Sequence, residues 1–248
     1  MKRVLKVAAV VVLVPGLTFV GLMVKTFSGL VPVLPTTDLP GGAIGVADGY
    51  VQAFIVPTGQ NTAALIDCGQ DPEAKAVKAK LAELKRTVKA IFLTHGHGDH
   101  IGGCKAFDGA EVYAMAEEKG LVEGEDAAKG PMTRMAKNDP AKSLRVTRSL
   151  RDGETVDVDG VAVQAFLIPG HPVGSAAYLA LGSLFLGDAV AGQSDGKVRN
   201  APWIFSDDTA QCAESVRALA KKLKDDEVKS LVFAHSGPLP GLAPLKAF

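Results

Sequence analysis

The stretch Leu93-Thr94-His95-Gly96-His97-Gly98-Asp99-His100-Ile101-Gly102-Gly103 decides how this chain is read. Three imidazoles and a carboxylate fall within six residues, spaced by glycines. The apolar run Ala90-Ile91-Phe92-Leu93 leads into it and reads as a buried strand. The cluster therefore lies where a strand gives way to a loop, a position from which a rigid scaffold can present functional groups. Gly96 and Gly98 open backbone conformations closed to other residues, so the neighbouring side chains can turn toward one point. Nitrogen and carboxylate-oxygen donors converging on a point suit a divalent transition metal, zinc before others.

Working outward, the same arrangement recurs. Asp67-Cys68-Gly69 follows the strand-like run Ala63-Ala64-Leu65-Ile66. Pro169-Gly170-His171-Pro172-Val173-Gly174-Ser175 follows Val161 to Phe166, which Asp159-Gly160 joins to Glu154–Val158 in a hairpin pattern. Ser183-Leu184-Phe185-Leu186 ends in Gly187-Asp188, and Val228 to Ala234 ends in His235. The chain has five histidines, and all five stand at or just beyond a predicted strand end. Structural histidines have no reason to gather that way.

His95-x-His97-x-Asp99-His100, the Pro-Gly-His171 turn, Gly187-Asp188 and His235 together resemble the signature of the metallo-β-lactamase superfamily, and the resemblance covers most of the chain after about residue 40. It implies an α/β fold, a four-layer αββα sandwich with metals at one edge between the sheets. It also implies that His95, His97 and His171 hold one metal, that Asp99, His100 and His235 hold a second, and that Asp188 bridges them. Asp67 supports the ligands from behind, and Asp99 also orients the nucleophile and shuttles a proton. The implied cofactor is a pair of divalent ions, zinc first, with iron or manganese as alternatives. The implied activity is hydrolysis of an ester, lactone or thioester of a small molecule. A mononuclear-iron persulfide dioxygenase and a true β-lactamase are the alternatives. The β-lactamase reading is weaker because one such branch carries Cys at the bridging position, here Asp188, and another has no bridging carboxylate. Glyoxalase II is expected to carry a further C-terminal helical domain, whereas this chain ends soon after His235. Quorum-signal lactonases often carry a Tyr three residues after the bridging Asp, where this chain has Ala191.

Equal numbers of basic and acidic residues, 27 of each, give no footprint for nucleic acid. Cys68, Cys104 and Cys212 are odd in number and lack a CxxC spacing, so they read as small buried residues rather than a disulfide framework. Residues 1–30 read as a signal anchor: Lys2, Arg3 and Lys6 precede an uncharged, mostly apolar run from Val7 to Val24, just long enough to cross a bilayer. The basic start places the N-terminus in the cytoplasm and the remainder on the extracytoplasmic side; secretion after cleavage is the alternative. Residues 31–40, with Pro32, Pro35 and Pro40, read as a linker lifting a catalytic domain of residues 41–248 off the membrane. Asp71-Pro72 reads as the start of one helix and Ser206 as the cap of the last. Residues 116–150, acidic then basic, read as a solvated face, with Arg134, Met132 and Met135 as possible substrate contacts. Tyr178, Trp203 and Phe205 are further pocket candidates.

Overall fold

In the computed structural model, which describes residues 19–136, 138–139 and 143–248, the apolar runs assemble into two facing sheets. The first contains, in chain and spatial order, β1 (Thr36–Asp38), β2 (Ile44–Asp48), β3 (Val51–Thr58), β4 (Thr62–Ile66), β5 (Thr87–Phe92), β6 (Glu111–Met115) and β7 (Arg148–Leu150). Its first four strands pair antiparallel and its last four parallel. β8 (Thr155–Val158), β9 (Val161–Leu167), β10 (Ala176–Ala180) and β11 (Ser183–Phe185) begin the second sheet. A separate ribbon follows, β12 (Val190–Gly192) with β13 (Val198–Asn200). β14 (Ser230–Val232) and β15 (Leu239–Pro240) then complete the second sheet in the order β15-β14-β11-β10-β9-β8. The Asp159-Gly160 turn has positive φ at both residues, 49° and 88°, the backbone that a tight hairpin with right-handed twist requires.

The helices are α1 (residues 19–27 of the described chain), α2 (Lys75–Glu83), α3 (Gly98–Ile101), α4 (Lys119–Val122), α5 (Thr209–Lys222) and α6 (Ala243–Lys246). Three apolar clusters define the layers. Phe54, Ile66, Phe92 and Met115 meet Val163, Ala165, Tyr178 and Phe185 between the sheets. Val77 and Leu81 of α2 cover the outer face of the first sheet over Ile55, Leu65 and Ile91. Cys212, Val216 and Leu219 of α5 cover the second over Phe166, Ala177 and Leu184. β3 faces apolar layers on both sides, which explains its nearly unbroken apolar sequence. The stacking is the expected αββα sandwich.

Several local expectations are corrected. Residues 31–40 are part of the fold rather than a linker. β1 is the edge strand of the first sheet, Leu30 bridges Gln193, and Val31 both donates to Gly192 O (2.9 Å) and accepts from Gly237 N (2.9 Å). Most of the expected membrane span lies outside the described residues. No helix among the described residues is long and apolar enough to cross a membrane, and Leu22 and Met23, at the end of the expected span, line the main cleft of the domain. Ala74, not Asp71, is the N-cap of α2; Asp71 Oδ2 accepts from Lys75 N (3.1 Å), and the helix starts at Lys75 rather than at Pro72. Asp208, not Ser206, caps α5, accepting from Ala210 N and Gln211 N.

Cys68 and Cys104 form a disulfide, and only Cys212 of the three remains a free thiol. The turn after β4 packs against the end of α3, with Cys68 N donating to His100 O (2.8 Å) and Gly103 N to Gly69 O (3.2 Å). That approach brings the two sulfurs together, and it is a tertiary contact that spacing alone does not show.

Candidate metal centre

Each candidate ligand leaves the end of a strand or the short helix beyond it. Thr94 and His95 follow β5. His97 stands immediately before α3, and Asp99 and His100 lie on that helix. His171 is in the turn between β9 and β10, Asp188 follows β11, and His235 follows β14. Gly187 adopts φ 53°, and a Cβ there would press on Thr94 Oγ1, so glycine is what lets Asp188 close onto the β5 end.

The seven expected residues converge. Donor atoms of His95, His97 and His171 lie within 4.8 Å of one another, as do those of His95, His100 and Asp188, and those of Asp99, His100 and His235. His95 Nε2 is 2.9 Å from His97 Nδ1. Asp188 sits centrally: its Oδ1 is 3.4 Å from His100 Nε2, and its Oδ2 is 3.1 Å from His235 Nε2 and 3.5 Å from His171 Nε2. Asp99 Oδ2 lies 3.5 Å from His235 Nε2.

The outer partners fix which ring nitrogen faces inward. Asp67 Oδ2 accepts from His100 Nδ1 (2.8 Å) and from Thr94 Oγ1 (2.6 Å), and Asp67 Oδ1 accepts from Thr94 N (2.8 Å). With its proton on Asp67, the Thr94 hydroxyl can only accept from His95 Nδ1 (3.1 Å). Ser206 Oγ likewise donates to Pro202 O and accepts from His171 Nδ1 (3.0 Å), and His235 Nδ1 donates to Tyr50 O (2.9 Å). Four imidazoles therefore turn Nε2 inward, held by oxygen partners of the kind that orient metal-bound histidines. Asp67 stands behind them in a left-handed backbone conformation (φ 55°) that a non-glycine residue adopts at a cost.

The cluster fits a cation. Among the described residues, buried His97 Nε2, His100 Nε2, His171 Nε2 and Asp188 Oδ1 have no hydrogen-bond partner. Leaving such atoms unsatisfied costs about 1–3 kcal/mol each. Burial holds His95 well below the usual imidazole range and brings His97 to about 4 and His171 to about 3, so these three are neutral donors at pH 7. Burial also pushes His100 and His235 down, but carboxylates together outweigh it: Asp188 with Asp67 lifts His100 well above its ordinary value, and Asp188 with Asp99 brings His235 to about 10. Burial opposes the charge of Asp188, and His235 and His100 overcome it, holding the carboxyl well below the carboxylate range. One side of the cluster is thus neutral nitrogen, and the other attracts positive charge. Both properties suit a divalent ion with mixed nitrogen and oxygen ligands.

Some supporting residues carry no signal that the sequence reading used. Glu118, in the stretch read as a solvated face, is fully buried; its Oε1 accepts from Gly96 N (2.7 Å) and its Oε2 from Gly174 N (2.9 Å). It ties the turn of His95 and His97 to the turn of His171. A Cβ on Gly174 would run into the Glu118 backbone, so that glycine is what allows the approach. Burial lifts the Glu118 carboxyl to about 7 against the lowering effect of those two amides. Gln52 Nε2 donates to Phe233 O and Ser236 O and holds the loop of His235.

A cleft of about 1260 Å³ opens in front of the cluster, with His97, Asp99, Asp188 and His235 on its floor. Of the pocket candidates, Trp203, Phe205 and Met132 line it. Tyr178 does not: it is fully buried between the sheets and its hydroxyl donates to Leu93 O (2.8 Å). Met135 is exposed outside the cleft, and Arg134 is not among the lining residues. The other wall is unexpected. It comes from α1 and the residues after it, including Leu22, Met23 and Phe27.

Comparison with known proteins agrees with this geometry. The sequence model of the metallo-beta-lactamase superfamily matches residues 46–235. A hydroxyacylglutathione hydrolase of Thermosynechococcus vestitus is 30% identical over 190 residues, 74% of this chain and 63% of that protein. One from Photobacterium profundum is 27% identical over 181 residues, 73% of this chain and 60% of that protein. The chain thus spans less than two thirds of the length of these relatives. Among solved structures, BJP-1, a subclass B3 metallo-beta-lactamase of Bradyrhizobium japonicum, superposes with a TM-score of 0.60 at 20% identity, covering 84% of this chain and 80% of that one. ETHE1 from Myxococcus xanthus does so with 0.58 at 22%, covering 80% and 79%. At those identities the structural likenesses show the fold.

Proposed function

We propose that this chain, which belongs to the metallo-beta-lactamase superfamily, is a metal-dependent hydrolase that cleaves an ester, lactone or thioester with two divalent ions, zinc first, at the His/Asp cluster. The observation that carries this reading is the presence of two donor sets rather than one. His95, His97 and His171 form one, Asp99, His100 and His235 the other, and Asp188 stands between them. Bound there, two divalent ions would supply a hydroxide nucleophile near neutral pH and polarise the scissile carbonyl.

The chain's own residues do the remainder. Asp188 offsets the repulsion between two cations. Asp67, Ser206 and the Tyr50 carbonyl keep the imidazoles in the donor tautomer. Asp99, on the cleft floor and partly exposed, is placed to orient the nucleophile and carry a proton to the leaving atom. A mononuclear iron site would leave the second donor set without a partner, which favours hydrolysis over dioxygenase chemistry. Hydroxyacylglutathione, the thioester in the names of the relatives, belongs to the substrate classes covered.

The test is metal analysis of the purified full chain followed by assays on lactone, thioester, ester and β-lactam panels. About two equivalents of zinc per chain, with oxygen-independent hydrolysis that chelators abolish, are expected. One equivalent of iron, with oxygen consumed on a persulfide, refutes the reading.

The sequence of residues 1–24 supports membrane attachment with the catalytic domain on the extracytoplasmic side. The Cys68–Cys104 disulfide supports an oxidising compartment as well. Release of the full chain from membranes by high salt alone would refute the anchor.

A further inference from the structure

We infer that the cleft in front of the cluster binds a long acyl chain, so that the substrate is an ester or thioester of a fatty acid; this rests on the hydrolase reading above. The floor of the cleft is polar, but its walls are apolar on both sides. Leu22, Met23 and Phe27 of α1 face Met132, Trp203 and Phe205. Trp203 is 57% exposed and Phe27 42% exposed. A contiguous apolar surface left open beside a reactive centre marks a binding site for apolar matter. The volume, about 1260 Å³, exceeds that of ordinary drug-sized pockets and is far more than a two- or three-carbon acyl group fills.

The charge of the lining points the same way. Lys25 and Arg199 are its lysine and arginine, and Arg199 Nη1 donates to Thr26 O (3.1 Å), which holds the wall in place. A polyanionic leaving group would find little to pair with.

The wall is built in advance. Beyond Arg199, Ser194 Oγ donates to Gly29 O (2.9 Å), Leu30 bridges Gln193, and Val31 bonds to Gly192 and Gly237. It is also the direct continuation of the apolar run that begins at Val7, so the acyl-binding wall and the membrane-seeking stretch are one covalent element. In the reaction, the water oxygen bonds to the acyl carbon and the bond from that carbon to oxygen or sulfur breaks. One proton goes to the leaving atom, the other to solvent, and the fatty acid departs as its carboxylate.

The test uses the full chain in bilayer nanodiscs and two independent readouts. The first is hydrolysis of 4-nitrophenyl esters from acetate to decanoate by the metal-loaded protein. kcat/KM should rise about two- to fourfold per methylene until the cleft is filled. The second needs no turnover. Trp203 is the single tryptophan of the chain, so its emission reports on the cleft alone. 12-Bromododecanoate should quench it saturably, bromoacetate should not, and Leu22→Asp and Met132→Asp, on opposite walls, should each weaken quenching at least about tenfold. A flat ester series, or quenching unchanged in both variants, overturns the inference; the latter would mean contact through the lipid. Acetate hydrolysis with a flat series removes the acyl class and leaves the hydrolase. Saturable quenching with no ester hydrolysed removes the hydrolase and keeps the acyl chain as the ligand.

Discussion

Replacing Cys68 and Cys104 together by alanine should destabilise the domain by about 4 kcal/mol. The two cysteines are 36 residues apart, and the loop-closure entropy that a crosslink of that span removes from the unfolded chain corresponds to about 4 kcal/mol at 25 °C. For a domain of this size that lowers the midpoint of thermal unfolding by about 8–16 °C. The loss should also be felt locally. The disulfide joins the Asp67 turn to the helix of Asp99 and His100, and Asp67 holds the His100 ring. Zinc should therefore leave the Asp99–His100–His235 side faster when the crosslink is absent. Three measurements follow: thiol titration of the denatured chain, one thiol before reduction and three after; denaturant unfolding of wild type and double variant; and zinc release to a chromophoric chelator. Three titratable thiols without reduction, or a stability change below about 1 kcal/mol with unaltered zinc release, would refute the reasoning.

Asp188→Asn should lower kcat/KM by at least about 10²-fold and reduce zinc below two equivalents with little change in circular dichroism, because it removes the charge between the two donor sets; unchanged zinc content and turnover would contradict that. Asp67→Asn should weaken zinc affinity about 10- to 100-fold without touching a ligand, measured by competition with a calibrated chelator. Glu118 has a folded pKa of about 7 against an ordinary value of 4.5, so the folded state binds its proton more tightly than the unfolded state does. Its contribution is full below about pH 4.5 and is lost as pH rises through about 7, an effect on the order of 3 kcal/mol. Glu118→Gln should flatten the fall in denaturant midpoint over that window, and an identical pH profile in the variant would exclude the assignment.

How much of this was legible depended on where the information lay. Four of the seven candidate ligands stand within six residues, and the other three each follow an apolar run that stops at a glycine turn or a strand end. Local pattern was enough to find them, and the resemblance then supplied their pairing. Glu118 could not be found that way. It is adjacent to the exposed Glu117 in a run of charges, and only the approach of Gly174 from a distant turn decides which of the two is buried. Ser206 and Asp208 are both good helix caps, and the sequence does not say that one is engaged by His171 instead. The disulfide does leave a signal in the sequence. Cys68 follows Asp67, Cys104 lies one helical turn beyond His100, and the reading of Asp67 as a support for the ligands already placed the two turns side by side.

The proline-rich segment departs from its sequence reading for a related reason. Pro32 and Pro35 lack a backbone N–H, which argues against a central strand, and the same property suits an edge. β1 is that edge, and it begins directly after Pro35. Once the segment is fixed there, residues 22–33 have no freedom to act as a tether. They lie along β12 and the loop after His235, and their apolar side chains become one wall of the cleft. A stretch that composition assigns to a connection with the membrane is therefore part of the folded domain. Any change that moves the N-terminal segment must then move the wall beside the candidate metal centre with it.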